Sequence, residues 1–353
     1  MTAAVAYSCF PRPAPSPHHS ITPMPLPIVG MLSSYSSLTQ CDWLWKQTPY
    51  AFGVWGNVQL QAQDPQPDYL LLYQYNFHEQ LAPRPKSKSQ RLLRAVRSLN
   101  PTALVEAPVN ALSQLPPQFG RVPKERIAFL LREPPLPEVR PQNLLNYAYA
   151  RDYCGYVSGP DDSAPVPAYM PAIWYVNVSF RELNEAPPPD KVSPCSWITS
   201  GIARTESHRQ RLAFLQQIQD SNVPVEVYGR DLPPGTRTAG ELSNKWAGMA
   251  PYTYNLAIEN YADNDWYASE KLWDALLSWC LPIYYGGGAA DQLLPPGSFL
   301  RLPSLDATGI EYIREVTASP DAWLEAKDAI AEARQIILHK LNLMNWLSEW
   351  VGK

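Results

Sequence analysis

The chain has 353 residues, 45% of them apolar, and a formal net charge of -4 at pH 7. At ~100–200 residues per domain this length predicts two cores rather than one, and the near-neutral balance excludes a global electrostatic pull toward nucleic acid. The five cysteines (Cys9, Cys41, Cys154, Cys195 and Cys280) are scattered without C-x-x-C spacing, which argues against a disulfide framework or a zinc site and fits a reducing compartment, with each thiol acting as a small buried hydrophobe.

Residues 1–25 place Pro11, Pro13, Pro15, Pro17, Pro23 and Pro25 among Ser and His, a composition that reads as a disordered leader. It has neither the charged start nor the apolar stretch of a signal peptide. No apolar run approaches the ~20 residues of a membrane span, so the expected location is cytoplasmic. The first strand candidate is Pro27 to Leu32, followed by Tyr69 to Tyr73 and Ile127 to Leu131. Their continuous rather than alternating apolar character predicts strands of a parallel sheet covered on both faces. Ser89 to Leu99 has helical spacing at Leu92, Leu93, Val96 and Leu99, Asn143 to Arg151 reads as a second helix, and Tyr153 to Val157 as a short strand.

Pro187-Pro188-Pro189 then punctuates the chain and predicts a boundary between domains at 26–188 and 189–353. Beyond it the alternation is clearer: a strand at Cys195 to Thr199, a helix at Glu206 to Gln219, and a strand through Val223, Val225 and Val227. A strand at Tyr254 to Ile258, a helix at Glu270 to Cys280 and a strand at Leu281 to Tyr285 follow, the last closed by three glycines. The tail from Asp321 to Val351 reads as helix, with Trp346 and Trp350 on one side. This is the α/β pattern of two doubly wound domains, whose ligands lie at the carboxyl ends of the strands across a cleft. The 12 Trp and 20 Tyr offer flat faces that suit sugar rings or bases, although most aromatics belong to cores.

The chemistry concentrates in Tyr254 to Asn260, Tyr267 to Trp273 and Pro282 to Gly286. Ser269 is a good helix cap, and Glu270 and Lys271 occupy the first turn. Free N–H groups and the helix dipole favour an anion there, and Lys271 adds a full charge. A pyrophosphate fits this end, leaving Glu270 to accept from ribose hydroxyls. The stretch resembles the signature of the α1,3/4-fucosyltransferases (glycosyltransferase family 10-like), which runs Phe-Glu-Asn, a variable loop, then Tyr-hydrophobic-Thr-Glu-Lys. Here Ile258 stands for the first Phe and Ser269 for Thr, and Pro296-Gly297-Ser298-Phe299 resembles the family's Pro-x-Ser-Phe. Gly287-Gly288 departs from the bulkier loop that is usual there. The likeness covers about residues 190–305 and the rest only in outline.

The resemblance implies a GT-B-like fold of two facing domains, GDP-fucose as donor, a glycan acceptor and inverting single displacement. It implies donor contacts at Asn260, Tyr267, Glu270 and Lys271, with a diphosphate arginine at Arg211, or at Arg209 if the register shifts by two. A solvated helix arginine is the alternative for Arg211. The family's base follows a first-domain strand, which points to Glu133 in Arg132-Glu133-Pro134, with Glu138 as the fallback and a plain loop glutamate as the alternative. Asp263-Asn264-Asp265 matches a metal-binding D-x-D pattern but lies in the variable loop. With Arg211 and Lys271 on the pyrophosphate no metal is expected. The basic run Arg84, Lys86, Lys88, Arg91, Arg94, Arg97 reads as a solvated helix face, with weak contact to anionic lipid as the alternative. A catalytically inactive sugar- or nucleotide-sugar-binding relative, or a transferase using another nucleotide sugar, remains as the rival reading.

Overall fold

The computed structural model describes residues 25–34, 41–50, 53–77 and 115–353. The expected leader (Pro25 aside), the helix at Ser89 to Leu99 and the basic run Arg84 to Arg97 lie outside them. The described residues form two sheets. The short strand expected at Tyr153 to Val157 is displaced, because helix Arg140–Tyr153 runs through Tyr153 and the strand begins at Tyr156.

The first sheet contains β1 (Ile28–Leu32), β2 (Val54–Trp55), β3 (Val58–Leu60), β4 (Tyr69–Tyr73), β5 (Ile127–Leu130), β6 (Tyr156–Gly159) and β7 (Val166–Pro167), in the order β2-β3-β1-β4-β5-β6-β7. Every neighbouring pair is parallel except the β2–β3 hairpin. Alternate residues of one strand point to opposite faces, and the packing follows this rule. Leu70, Leu72, Ile127 and Phe129 join a cluster with Phe77, Phe119 and Tyr147. Leu71, Tyr73, Ala128 and Leu130 join another with Val29, Met31, Leu343 and Leu347. Two covered faces are why β4 and β5 need unbroken apolar sequence.

The second sheet contains β8 (Ser193–Ser200), β9 (Val225–Arg230), β10 (Tyr252–Ile258), β11 (Leu281–Tyr285) and β12 (Leu300–Arg301). All pairs are parallel, in the order β12-β11-β10-β8-β9. Numbered within this sheet the order is 2-1-3-4-5, a doubly wound arrangement whose direction of winding reverses between β8 and β10. Central β10 is buried at all its positions. The crossover helix Glu206–Asp220 starts at a capping box of Thr205 and His208. Helix Glu270–Leu277 starts at Ser269 and buries Leu272, Trp273, Ala275, Leu276 and Leu277. Cys154, Cys195 and Cys280 are free and buried.

Chain order and packing part company at two places. Ala172, Trp174, Val176, Phe180 and Leu183 already belong to the second core, whereas Leu343, Met344 and Leu347 of the last helix, Leu343–Val351, pack on the first sheet. The continuous tail helix expected from Asp321 to Val351 is interrupted: Asp321–Glu325, Lys327–Gln335 and a wide turn at Ile336–Leu341 precede the final helix. The break falls at Asn342, fully buried, whose side chain donates to Gln47 O (2.9 Å) and Leu338 O (3.1 Å) and accepts from Met344 N. There the returning tail pairs with the outgoing segment, Ala172 N to Leu341 O at 2.6 Å and Leu343 N to Ala172 O at 3.1 Å. Trp346 and Trp350 stack at 5.8 Å, on one side as the spacing predicts.

Candidate active site

The reversal point between β8 and β10 leaves a crevice at the strands' carboxyl ends, and Arg211 fills its floor. Helix Glu206–Asp220 carries it there: the guanidinium donates to Asn260 Oδ1 (2.7 Å), just past β10, and to Ser200 O (3.0 Å) and Ile202 O (3.3 Å), at and past the end of β8. It is 4% exposed, and its Nε is buried without a partner. Burial pulls its pKa below the ordinary arginine value. Arg209 points elsewhere and pairs with Glu206 at 2.8 Å on the helix surface. Of the two arginines weighed from the sequence, Arg211 is the one at the crevice. His208, which the sequence reading passed over, has its pKa pushed down to about 4 by burial and then by the charges of Arg211 and Lys271.

Glu259 follows β10, its side chain fully buried, and organises the next helix start. It accepts from Ser269 N (2.7 Å), Ser269 Oγ (2.7 Å) and Lys271 Nζ (3.2 Å). Lys271 also reaches Ser269 Oγ at 3.2 Å. Glu270, one residue along, faces across the cleft instead. Its carboxylate pairs with Arg132 of the first domain and lies 4.0 Å from Lys245. Burial alone would raise its pKa, but the charges of Arg132, Lys271 and Lys245 outweigh this and hold it well below the usual carboxylate range. Lys245 is in turn fixed by fully buried Asp274 (2.8 Å), which also accepts from Tyr175 N at 2.7 Å. Tyr267 is buried, and its pKa is raised first by that burial and then by Glu259, Glu133 and Glu270.

The facing edge is the end of β5. Gln74 Oε1 accepts from Arg132 N (2.8 Å) and Glu133 N (3.1 Å), which holds the backbone of this turn. Arg132 donates to Tyr175 OH at 2.6 Å and lies over that ring. Glu133 is half-buried, with its charge felt by Tyr73, Arg132 and Tyr267. Tyr73, Arg132, Tyr267, Ser269, Glu270 and Trp273 all line one narrow cavity. The fold therefore brings Glu133, Tyr267, Glu270 and Lys271 into one neighbourhood, with Asn260 and Arg211 at the adjoining crevice. Glu138, the fallback for the base, is engaged otherwise: its Oε1 accepts from Glu206 N at 3.0 Å, across the cleft at the start of helix Glu206–Asp220. That backbone bond is the main reason its pKa is lowered.

Asp263 and Asp265 take separate places. Asp263 lines an open cavity in the cleft, while Asp265 accepts from Gly288 N at 3.3 Å. The departure at Gly287-Gly288 has a steric cause. A Cβ at Gly287 would lie 1.7 Å from Asn264 O, and one at Gly288 would lie 2.5 Å from Asp265 Oδ1. The variable loop of the signature packs onto this glycine turn.

Arg132, Lys245, Glu259 and Asp274 were missed from the sequence. Glu259 was within reach, since it is the acid of the Glu-Asn pair in the signature. Arg132 and Lys245 meet Glu270 only through tertiary folding and left no local signal.

Two facing, doubly wound and largely parallel sheets with charged groups at their carboxyl ends define a GT-B-like α/β protein. Residues 188–325 match the family model described as glycosyltransferase family 10 (fucosyltransferase) C-term. A 139-residue stretch is 31% identical to alpha-(1,3)-fucosyltransferase C of Drosophila melanogaster, covering 38% of this chain and 31% of the relative. Another of 84 residues is 34% identical to GDP-fucose protein O-fucosyltransferase 3 of Danio rerio, covering 23% and 18%. The matches thus span about a third or less of the lengths of these curated relatives. Among solved structures, an α1,3-fucosyltransferase with GDP-fucose aligns at 18% identity and a TM-score of 0.38, over 91% of this chain and 84% of the other. An α,α-trehalose-phosphate synthase from Burkholderia xenovorans aligns at 12% identity and a TM-score of 0.46, over 92% and 97%.

Proposed function

We propose that this protein is an inverting glycosyltransferase that moves fucose from GDP-fucose to a hydroxyl of a glycan acceptor. The observation that carries the reading is the placement of Arg211 and Lys271 about the β8–β10 reversal point, opposite Glu133 at the end of β5. The family of the 188–325 domain, and the fucosyl donors and linkages in the names of its relatives, support fucose and GDP.

In this mechanism the bond from the anomeric carbon to the β-phosphate oxygen breaks as a bond from that carbon to the acceptor oxygen forms on the opposite face. The hydroxyl proton passes to Glu133, within hydrogen-bond reach of the attacking oxygen. The electron pair leaves with GDP, and the guanidinium of Arg211 and the ammonium of Lys271 offset its growing charge. Glu270 accepts from ribose hydroxyls, and Asn260 and Tyr267 complete the donor contacts. Arg211 and Lys271 perform the neutralisation that a divalent ion supplies in other transferases, so turnover does not require a metal.

The test is turnover of GDP-fucose, GDP-mannose and UDP-galactose with a panel of glycans, repeated in excess chelator. The expected result is release of GDP from GDP-fucose that chelator leaves unchanged. Absence of donor turnover with retained GDP binding would make the protein a binding relative. Activity lost in chelator and restored by a divalent ion would return Asp263 and Asp265 to a metal role.

A further inference from the structure

A second cavity, of about 170 Å³, opens in the cleft and shares no lining residue with the narrow cavity at Glu270. Its walls come from both domains: Pro135, Arg140, Asp161 and Asp162 on one side, Tyr261, Asp263 and Asn264 on the other. We propose that it holds one uncharged pyranose ring of the acceptor and discriminates against anionic sugars. The inference rests on the reaction proposed above and names the acceptor class for it.

Position is the first support. Pro135 is two residues beyond Glu133. Asn264 accepts from Tyr267 N at 2.8 Å, and the charge of Glu133 reaches that same tyrosine. A ring in the cavity therefore lies next to the carboxylate that takes the proton.

The cavity is also built rather than incidental. Asn264 Nδ2 donates to Pro160 O at 2.7 Å and Trp266 Nε1 donates to Asp162 Oδ1 at 2.8 Å, tying the signature loop to the opposite domain. Tyr169 and Trp266 meet at 5.2 Å between ring centres. Asp161, 3% exposed, is held by Tyr147 OH and Ser163 N, both at 2.7 Å. Pinned walls keep the volume open without a ligand, which lowers the ordering cost of binding.

The lining chemistry selects the ligand. Asp162 and Asp263 are exposed acceptors for sugar hydroxyls, Arg140 is a donor, and the half-buried Tyr261 offers a ring face. Three carboxylates against one guanidinium leave an excess of negative charge, so a carboxylated or sulfated sugar meets like-charge repulsion. The volume falls below the ~300–1,000 Å³ of pockets for drug-sized ligands, which sizes it for a single ring.

Saturation-transfer NMR on the full chain, without nucleotide, tests this with methyl galactoside, methyl N-acetylglucosaminide and methyl glucuronide as probes. The neutral glycosides should bind, and the glucuronide should bind about tenfold more weakly or not at all, the worth of one charge-assisted hydrogen bond changing sign. Asp263→Lys should weaken the neutral probes by about tenfold and strengthen the glucuronide. Asp263→Asn should weaken neutral binding alone, and melting temperatures verify that both variants are folded. Equal binding of neutral and acidic probes, or neutral binding at the parent level in both variants, would overturn the proposal. Calorimetry with GDP on the parent separates the two readings. GDP binding without glycoside binding removes the subsite and leaves the donor reading. Glycoside binding that follows the Asp263 pattern without GDP binding leaves a sugar subsite and removes the fucosyl transfer.

Discussion

Replacing Lys271 by Met keeps the aliphatic stem and removes the ammonium, which in the folded chain lies 3.2 Å from both Glu259 Oε2 and Ser269 Oγ. If the ammonium also contacts the donor diphosphate, its loss removes a charge-assisted bond worth ~1.5–3 kcal/mol, or about 10- to 150-fold in GDP affinity. The stability cost is separate and smaller. Leaving a buried charge without a partner costs ~3–5 kcal/mol, but Glu259 retains the N–H and O–H of Ser269. We therefore expect only about 1–2 kcal/mol, a fall in melting temperature of about 2–8 °C. Titration calorimetry with GDP, run well below the melting temperature of the variant, reads the first effect, and thermal unfolding reads the second. A folded Lys271→Met protein that binds GDP as tightly as the parent would remove the lysine from the donor site. An identical loss for an uncharged guanosine probe would show that the effect is one of shape rather than phosphate charge.

Glu133→Gln should lower fucosyl transfer by about 10²–10⁴-fold, the usual worth of a positioned base, with little change in GDP affinity. Near-parent turnover there, with collapse in Glu138→Gln, would move the base five residues along the loop and contradict the bond from Glu206 N to Glu138. The depressed pKa of Glu270 predicts a pH signature in unfolding. A carboxyl group whose folded pKa lies below its unfolded value of ~4.3 contributes stability that is present above that value and lost as pH falls toward the folded one. The stability difference between parent and Glu270→Gln should therefore shrink from about pH 6 to pH 3, and a constant difference would mean that the Arg132 pairing does not shift the group.

Much of the architecture was legible because it is written locally. β4 and β5 fall close to where unbroken apolar runs placed them, since a strand covered on both faces offers few polar positions, and β8, β10 and β11 lie within about two residues of the strands expected from the alternation of strand and helix. The start of helix Glu270–Leu277 was legible for the same kind of reason: Ser269 caps it within two residues of sequence. The signature residues Asn260, Tyr267, Glu270 and Lys271 are near neighbours in the chain, so their grouping survives in one dimension. The short strands β2, β3, β7 and β12 carry too few residues to show a period and were not seen.

What tertiary structure alone decided is what depends on distant residues meeting. The choice of Arg211 over Arg209 turned on which helix face lies against the ends of β8 and β10, since two residues along a helix of ~3.6 per turn point about 160° apart. Arg132 and Glu270 are 138 residues apart, and each by itself looks like a solvated charge. Only the facing of the two sheets makes them a pair and lowers the pKa of the carboxylate. The return of Leu343–Val351 to the first sheet was likewise invisible, because an amphipathic helix records that it must bury a face but not which core will receive it. Periodicity specifies elements and their buried sides. The partners of charged groups depend on long-range geometry, and it is those partners that turned a set of candidate residues into a site.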